Sequence, residues 1–380
     1  MGRAWPVLIL LGFSQLCASW GALAIIAVQV EMRAGLGITT EEIAALVWAY
    51  SLSLAIGALA AQVLIGHWSR RAVLLTSLCI LGTACTALGL AQTWEQAMVA
   101  RVAMALGGAS ILPTASLIAG SIVSEDKRPA ALAVVFAGLT GSTVIALPIS
   151  SFIGEVFGWR ATWFVAGGAA FTAALGAAIG VPGGITGARA SVASMVSVLS
   201  NRAVSFTILT TMFLLFGGFM TYSMIAFWFV EVGGAPRFAL TPALFISGVA
   251  SMFGNGLSAR GVRMFGRNGT IIGGLGFTAA CYLALWAVPH VYWLSYPAFV
   301  MLGVGWSLCL APLQSRLMEA AGPLAQLALA VNASAFFTGQ AIGAAVGGQV
   351  YDLFGPQALP LASVFVLCGA TLTYFLSRRA

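Results

Sequence analysis

Charge is what this chain has least of. Of its 380 residues only 7% are Asp, Glu, Lys or Arg, while 60% are apolar and the mean hydropathy is +1.00. A soluble domain carries about 25% charged residues. So little polar surface cannot cover a globule in water. A soluble enzyme, a nucleic-acid-binding domain and a disordered chain are all excluded as the main reading, and the solvent must be mostly lipid. Lysine is nearly missing. Lys127 is the one example, and it sits in Ser-Glu-Asp-Lys-Arg. A Walker A loop needs Gly-Lys-Ser/Thr, so the chain has no P-loop and cannot drive a pump with ATP. The two histidines, His67 and His290, are far apart, and none of the six cysteines forms a CxxC pair. No metal, haem, zinc or disulfide framework follows, and no cofactor is expected. A membrane-embedded enzyme would need a Ser/His, Asp/Asp or His-rich constellation, which the apolar stretches lack.

What is present is length without charge. A helix needs about 20 apolar residues to cross the hydrocarbon core. The uncharged stretches, split at turn signals, run Ala4–Val30, Ile43–Gly66, Ala72–Trp94, Gln96–Ser124, Pro129–Gly154, Ala161–Val181, Ala203–Val230, Phe238–Ala259, Asn268–Pro289, Val291–Ser315, Pro323–Tyr351 and Leu353–Ser377. That predicts twelve transmembrane helices, and Arg101 is the one charge inside them. The first stretch is 27 residues long, too long for the roughly 7–15-residue core of a signal peptide, and reads as a membrane helix. With the N-terminus in the cytoplasm, thirteen basic residues fall inside and only Arg33, Arg160 and Arg237 fall outside. That bias predicts both termini in the cytoplasm. The abundance of Ala, Gly and Arg over Lys points to a GC-rich bacterium and so to an inner membrane.

The chain also repeats itself. Glu155 with Phe157-Gly158 recurs as Asp352 with Phe354-Gly355, and Trp68-Ser69-Arg70 recurs as Phe265-Gly266-Arg267, both at a spacing of 197 residues. Two separate places sharing one period predict two six-helix bundles in parallel orientation, related by a pseudo-two-fold axis along the membrane normal. The expected division is a bundle over 1–182, a cytoplasmic linker over 183–202 and a bundle over 203–380. Gly339, Gly343 and Gly347 lie four apart on one face of helix 11, and Ser142, Ala146 and Ser150 stand 197 residues earlier. Such stripes let backbones approach closely in lipid. They are expected to pack one half tightly on the other, or to form a sliding seam.

These residues resemble the major facilitator superfamily, and within it the twelve-helix drug and metabolite antiporters. Gln62–Leu75 is similar to the family's helix 2–3 loop, G-x-L-a-D-R-x-G-R-R-x-x-L. Arg70 and Arg71 are kept, while Gln62, Gly66 and Ser69 replace the first glycine, the aspartate and the second glycine. The later copy keeps Gly266 and Arg267 but carries Arg263 at the aspartate position. Arg101 to Ala109 resembles the helix-4 motif R-x-x-x-G-x-G, and Ala146-Leu-Pro148-Ile-Ser150 stands where efflux members read G-x-P-x-G. Gly158-Trp159-Arg160 with Phe164, and Asn332-Ala-Ser334 with the helix-11 glycines, complete the match.

A charge within the membrane is costly and usually functional. Arg101 is therefore expected to pair with Glu31 or with helix-1 carbonyls and, with Glu31, to couple protons to transport. No Asp or Glu lies at the middle of a span, so coupling rests mainly on the resemblance. The resemblance implies that helices 1, 4, 7 and 10 line a cavity. The candidates there are Gln15, Trp20, Ser110, Thr114, Phe216, Tyr222, Trp306 and Gln314, with Asn332 and Gln340 on helix 11. Aromatic walls with few polar groups suit a partly apolar ligand. Arg70, Arg71, Pro148, Gly266, Arg267, Gly339, Gly343 and Gly347 are the gating or packing candidates. The expected function is export of a small drug or metabolite by alternating access, coupled to proton influx. The alternative is a proton-independent facilitator or importer. Expected partners are membrane lipid, the solute and protons, with no nucleic acid and no ATP, for a chain acting as a monomer.

Overall fold

The computed structural model describes residues 4–186, 196–236, 239–287 and 292–379. Arg3, Arg189, Arg237 and His290 lie outside the described residues, as do the middle of the linker and the span ends Phe238, Pro289 and Val291. Among the described residues the chain is all-helical. Eleven runs are long and apolar enough to cross a membrane, and one of them, Leu240–Ala287, turns at Gly266 into two helices. The resulting twelve are α1 (Trp5–Leu36), α2 (Thr40–Leu64), α3 (Arg70–Leu90), α4 (Trp94–Ser121), α5 (Glu125–Phe157), α6 (Trp159–Gly180), α7 (Arg202–Val232), α8 (240–265), α9 (267–287), α10 (Trp293–Leu324), α11 (Leu327–Phe354) and α12 (Pro356–Arg379). Several overrun the uncharged stretches. α1 carries Glu31 and Arg33 in its last turns, because a helix continues past the hydrocarbon once its end is among polar headgroups.

Local chemistry sets where the helices stop. The Thr93 hydroxyl accepts from the Gln96 backbone N–H at the start of α4, and Asn201 does the same for Val204 at the start of α7. The turn into α6 uses Gly158 at φ 84°, and the turn into α12 uses Gly355 at φ 79°. These two glycines stand 197 residues apart. A side chain would be strained in either, so the repeat extends to the backbone conformation. Pro148 has no N–H to give to a helical ladder. The turn just before it, Ser142–Ala146, widens to a π-helix, with the Leu147 N–H reaching back to Ser142.

The described residues divide into two compact units, Met1–Ile38 with Ile56–Ala190, and Thr39–Ala55 with Ser191–Ala380. In the first unit α3 packs on α6 and α4, and α1 packs on α5 and α6. In the second, α7 packs on α11 and α12, and the α8–α9 pair packs on α10.

The glycine stripe corrects one expectation. Side chains at Gly339, Gly343 and Gly347 would collide with the backbone carbonyls of Met212, Phe216 and Met220 on α7. The stripe seals α11 to α7 inside its own half. Its counterparts Ser142, Ala146 and Ser150 likewise belong to an α5 that packs on α1. The physical reason is register. Three glycines one turn apart match three carbonyls one turn apart on a neighbouring helix, a contact that needs two rigidly docked helices of one bundle.

Candidate functional site

In the first unit the site is built on the middle of α1. Arg101 on α4 is fully buried. Its guanidinium donates to the Gly21 carbonyl at 2.8 Å and reaches the Ala22 carbonyl at 3.5 Å. The Trp163 ring on α6 lies 5.8 Å from its central carbon. Backbone dipoles and an aromatic face thus replace the water this cation has lost. Gly21 packs closely there, since a Cβ on it would stand 3.1 Å from Leu81 and 3.9 Å from the Cys85 thiol on α3. Glu31 is half-buried near the end of α1, ten residues beyond Gly21, or about 15 Å of helical rise.

Six residues before Gly21, Gln15 is buried and its amide donates to the Ser19 hydroxyl at 3.1 Å, while its Oε1 has no partner among the described residues. The Trp20 indole donates to Ser150 of α5 at 2.7 Å, which ties α1 to the turn that follows the π-helix. Pro148 is buried beside it. Ser110 shares a 2.6 Å hydrogen bond with Ser77 of α3, so its hydroxyl is engaged in joining two helices. Thr114 is buried, and its hydroxyl has no partner among the described residues.

The second unit has Ala298 at the position matching Arg101. It carries aromatics instead. Tyr222 on α7 stacks on Phe299 with centroids 6.2 Å apart, and meets Trp306 edge-on at 5.1 Å. Phe216 is half-buried and tilts against Phe213 at 6.3 Å, so it stands apart from that cluster. Gln314 is exposed and Gln340 half-buried. Asn332 is buried, and its Oδ1 has no partner among the described residues. Two residues along, the Ser334 hydroxyl donates to the Ala55 carbonyl of α2 at 3.1 Å.

The arginines at the helix ends differ between the copies. Arg70 donates to the Gly66 carbonyl at 2.5 Å, and its own N–H bonds Ile185, beside a short bridge between Ser69 and Thr186. Arg71 donates to the Ala178 carbonyl at the end of α6. Arg267, the counterpart of Arg70, instead pairs with Glu319 on α10. Gly266, at φ 69°, makes the bend between α8 and α9. Among the described residues no three His, Cys, Asp or Glu side chains converge to hold a metal ion.

Two features escape a reading of sequence alone. The Tyr282 hydroxyl on α9 donates to the Gly218 carbonyl at 2.7 Å. Adding 197 to Gly21 gives Gly218, so the repeat could have pointed to it. Gln29 is fully buried with neither amide atom bonded among the described residues. It carries the same signal as Gln15, an uncharged polar residue within a span.

Residues 9–326 match the sequence profile described as Major Facilitator Superfamily. The chain is 27% identical over 351 residues to "Inner membrane transport protein YdhP" of Escherichia coli (strain K12), covering 91% of this chain and 89% of that protein. It is 23% identical over 270 residues to the "Probable sugar efflux transporter" of Helicobacter pylori (strain HPAG1), covering 69% of this chain and 68% of that one. Its fold matches the crystal structure of a bacterial homolog to the human lysosomal transporter Spinster, in an inward-facing and unoccupied conformation. The TM-score is 0.77 at 15% identity, over 99% of this chain and 97% of that chain.

Proposed function

The chain belongs to the major facilitator superfamily, a family of transporters and not of enzymes, and from that premise we propose that it exports a small, partly apolar molecule across a bacterial inner membrane by alternating access, coupled to proton influx. The observation that carries this reading is Arg101, a fully buried cation held on the α1 backbone. A charge kept in the membrane at this cost needs a use, and exchange of its partners with a proton or an anionic group during the cycle is one. Glu31 is the nearest carboxylate on α1 in sequence and serves as the proton carrier in this reading. Each unit offers its own candidates for contact with the solute, Gln15, Trp20 and Thr114 in the first and Tyr222, Trp306, Asn332 and Gln340 in the second. Tyr222 and Trp306 supply apolar surface, while the amide oxygens of Gln15 and Asn332, without a partner among the described residues, supply orientation. The name carried by the H. pylori relative supports export. The protein works without ATP, as a monomer, with both termini in the cytoplasm.

The experiment is transport by the purified protein in liposomes with an imposed pH gradient, against a panel of phenicols, sugars and lipophilic cations. Solute movement that follows the gradient and stops on adding a protonophore supports the proposal. Downhill flux that a protonophore leaves unchanged rejects coupling and makes the protein a facilitator, the reading favoured by the absence of any mid-span carboxylate.

A further inference from the structure

The bend at Gly266 leaves a groove on the second unit that the transport reading does not use. It has a volume of about 310 Å³ and runs along α8 and α9. Its walls are Leu257, Met264 and Phe265, of which Met264 is 67% and Phe265 70% exposed. Its floor is formed by glycines of α9, and a Cβ placed on Gly273 would meet open space. Arg260 lines it between Leu257 and Met264, one helical turn from each, and Arg263, just outside the lining, follows three residues later on the same helix, so the two guanidiniums share a side. Both are exposed, and neither has an ion pair or hydrogen bond among the described residues. Arg267 is different, because Glu319 already neutralises it.

We propose that this groove is a binding site for one anionic phospholipid. The phosphate is held by Arg260 and Arg263, and an acyl chain lies along the apolar walls over the glycine face of α9. Charge complementarity selects the occupant. Two uncompensated cations beside the groove call for an anion, and the apolar side chains on either side of Arg260 call for a hydrocarbon chain covalently attached to that anion. Phospholipid is the molecule in the surrounding bilayer with both parts. The repeat provides an internal control. The positions 197 residues before Arg260 and Arg263 are Val63 and Gly66, so the first unit lacks both cations. There the Gly66 carbonyl is occupied by Arg70.

The test is lipid retention by native mass spectrometry of the full chain, purified and titrated with phosphatidylglycerol, with phosphatidylcholine as the neutral comparison. The wild-type protein is expected to keep one phosphatidylglycerol in preference to phosphatidylcholine. Arg260→Gln and Arg263→Gln should each weaken retention about fivefold, since a basic residue near an anionic headgroup contributes about that factor. Gly273→Leu should weaken it without changing charge, by filling the floor. Arg378→Gln/Arg379→Gln removes two exposed cations elsewhere and should leave retention unchanged. Exposed arginines and an open glycine face tolerate these changes, and a single symmetric peak on size exclusion confirms that each variant folds. Equal retention of phosphatidylcholine would mean ordinary annular lipid and reject the site. So would an equal loss in the Arg378/Arg379 variant, which is general attraction, or no loss in Gly273→Leu. Displacement of the lipid by millimolar inorganic phosphate would show a phosphate site with no role for the chain, and would also overturn the proposal. Each of these outcomes is independent of whether solute transport is proton-coupled.

Discussion

The two halves of the chain meet the same problem with different chemistry. In each, a glycine in the middle of the first helix exposes a carbonyl to its neighbours, Gly21 in one copy and Gly218 in the other. In the first half the carbonyl accepts from Arg101, a cation on α4. In the second it accepts from Tyr282, a neutral phenol on α9. The residue at the Tyr282 position of the first half is Cys85, which packs against Gly21, and the residue at the Arg101 position of the second half is Ala298. A neutral donor is therefore sufficient to satisfy this carbonyl within a bundle. The charge of Arg101 is more than the packing requires, and this is why it stands as the candidate for coupling.

The largest expected effect tests that surplus directly. Arg101→Ala should reduce gradient-driven transport to background, and should lower thermal stability by about 2 kcal/mol, the scale of a hydrogen bond to a charged group. Placing the second half's solution in the first separates the two losses. In Arg101→Ala/Cys85→Tyr, a phenol from α3 can donate to Gly21 in the space the arginine vacates. The melting temperature should recover while transport stays at background. If transport returns with the phenol, the arginine is structural, and the coupling role fails.

The next effect concerns the glycine stripe. Gly343→Leu drives a side chain into the Phe216 carbonyl and should cost about 1–3 kcal/mol by overpacking, seen as a lower melting temperature in detergent. Ala146→Leu at the matching position of α5, also buried, should cost a similar amount. A large difference between them would show that the halves do not share this helix–helix contact, and would weaken the equivalence on which the Gly21–Gly218 comparison stands.

Much of this was legible in the residues. Lipid exposes a composition that few soluble chains have, so the twelve spans, the 197-residue repeat and the lone intramembrane charge can all be read from spacing. The wrong partner for the Gly339 stripe has a physical cause. A stripe of small residues says that another backbone comes close, but it carries no information about which one. Only the register of Met212, Phe216 and Met220 on α7 decides it. Tyr282 was missed for a related reason. A tyrosine in an apolar run looks like packing until the carbonyl its hydroxyl reaches is located. Gln29 shows the converse. Its polarity was visible, but nothing in sequence says that neither amide atom finds a partner among the described residues.

The smallest expected effect sharpens the comparison from the neutral side. Tyr282→Phe removes one hydroxyl and keeps the ring, so the cost should be the hydrogen bond alone, about 0.6–1 kcal/mol within a membrane bundle. Gly218 keeps its helical hydrogen-bonding partner, and the ring still fills the space against α7. Transport should therefore stay within about twofold of wild type, with the melting temperature slightly lower. Contrasted with Arg101→Ala, this variant removes the equivalent donor without removing a charge. If Tyr282→Phe abolished transport as fully as the arginine variant, the carbonyl contact itself would be the working part in both halves, and the surplus charge would need another explanation.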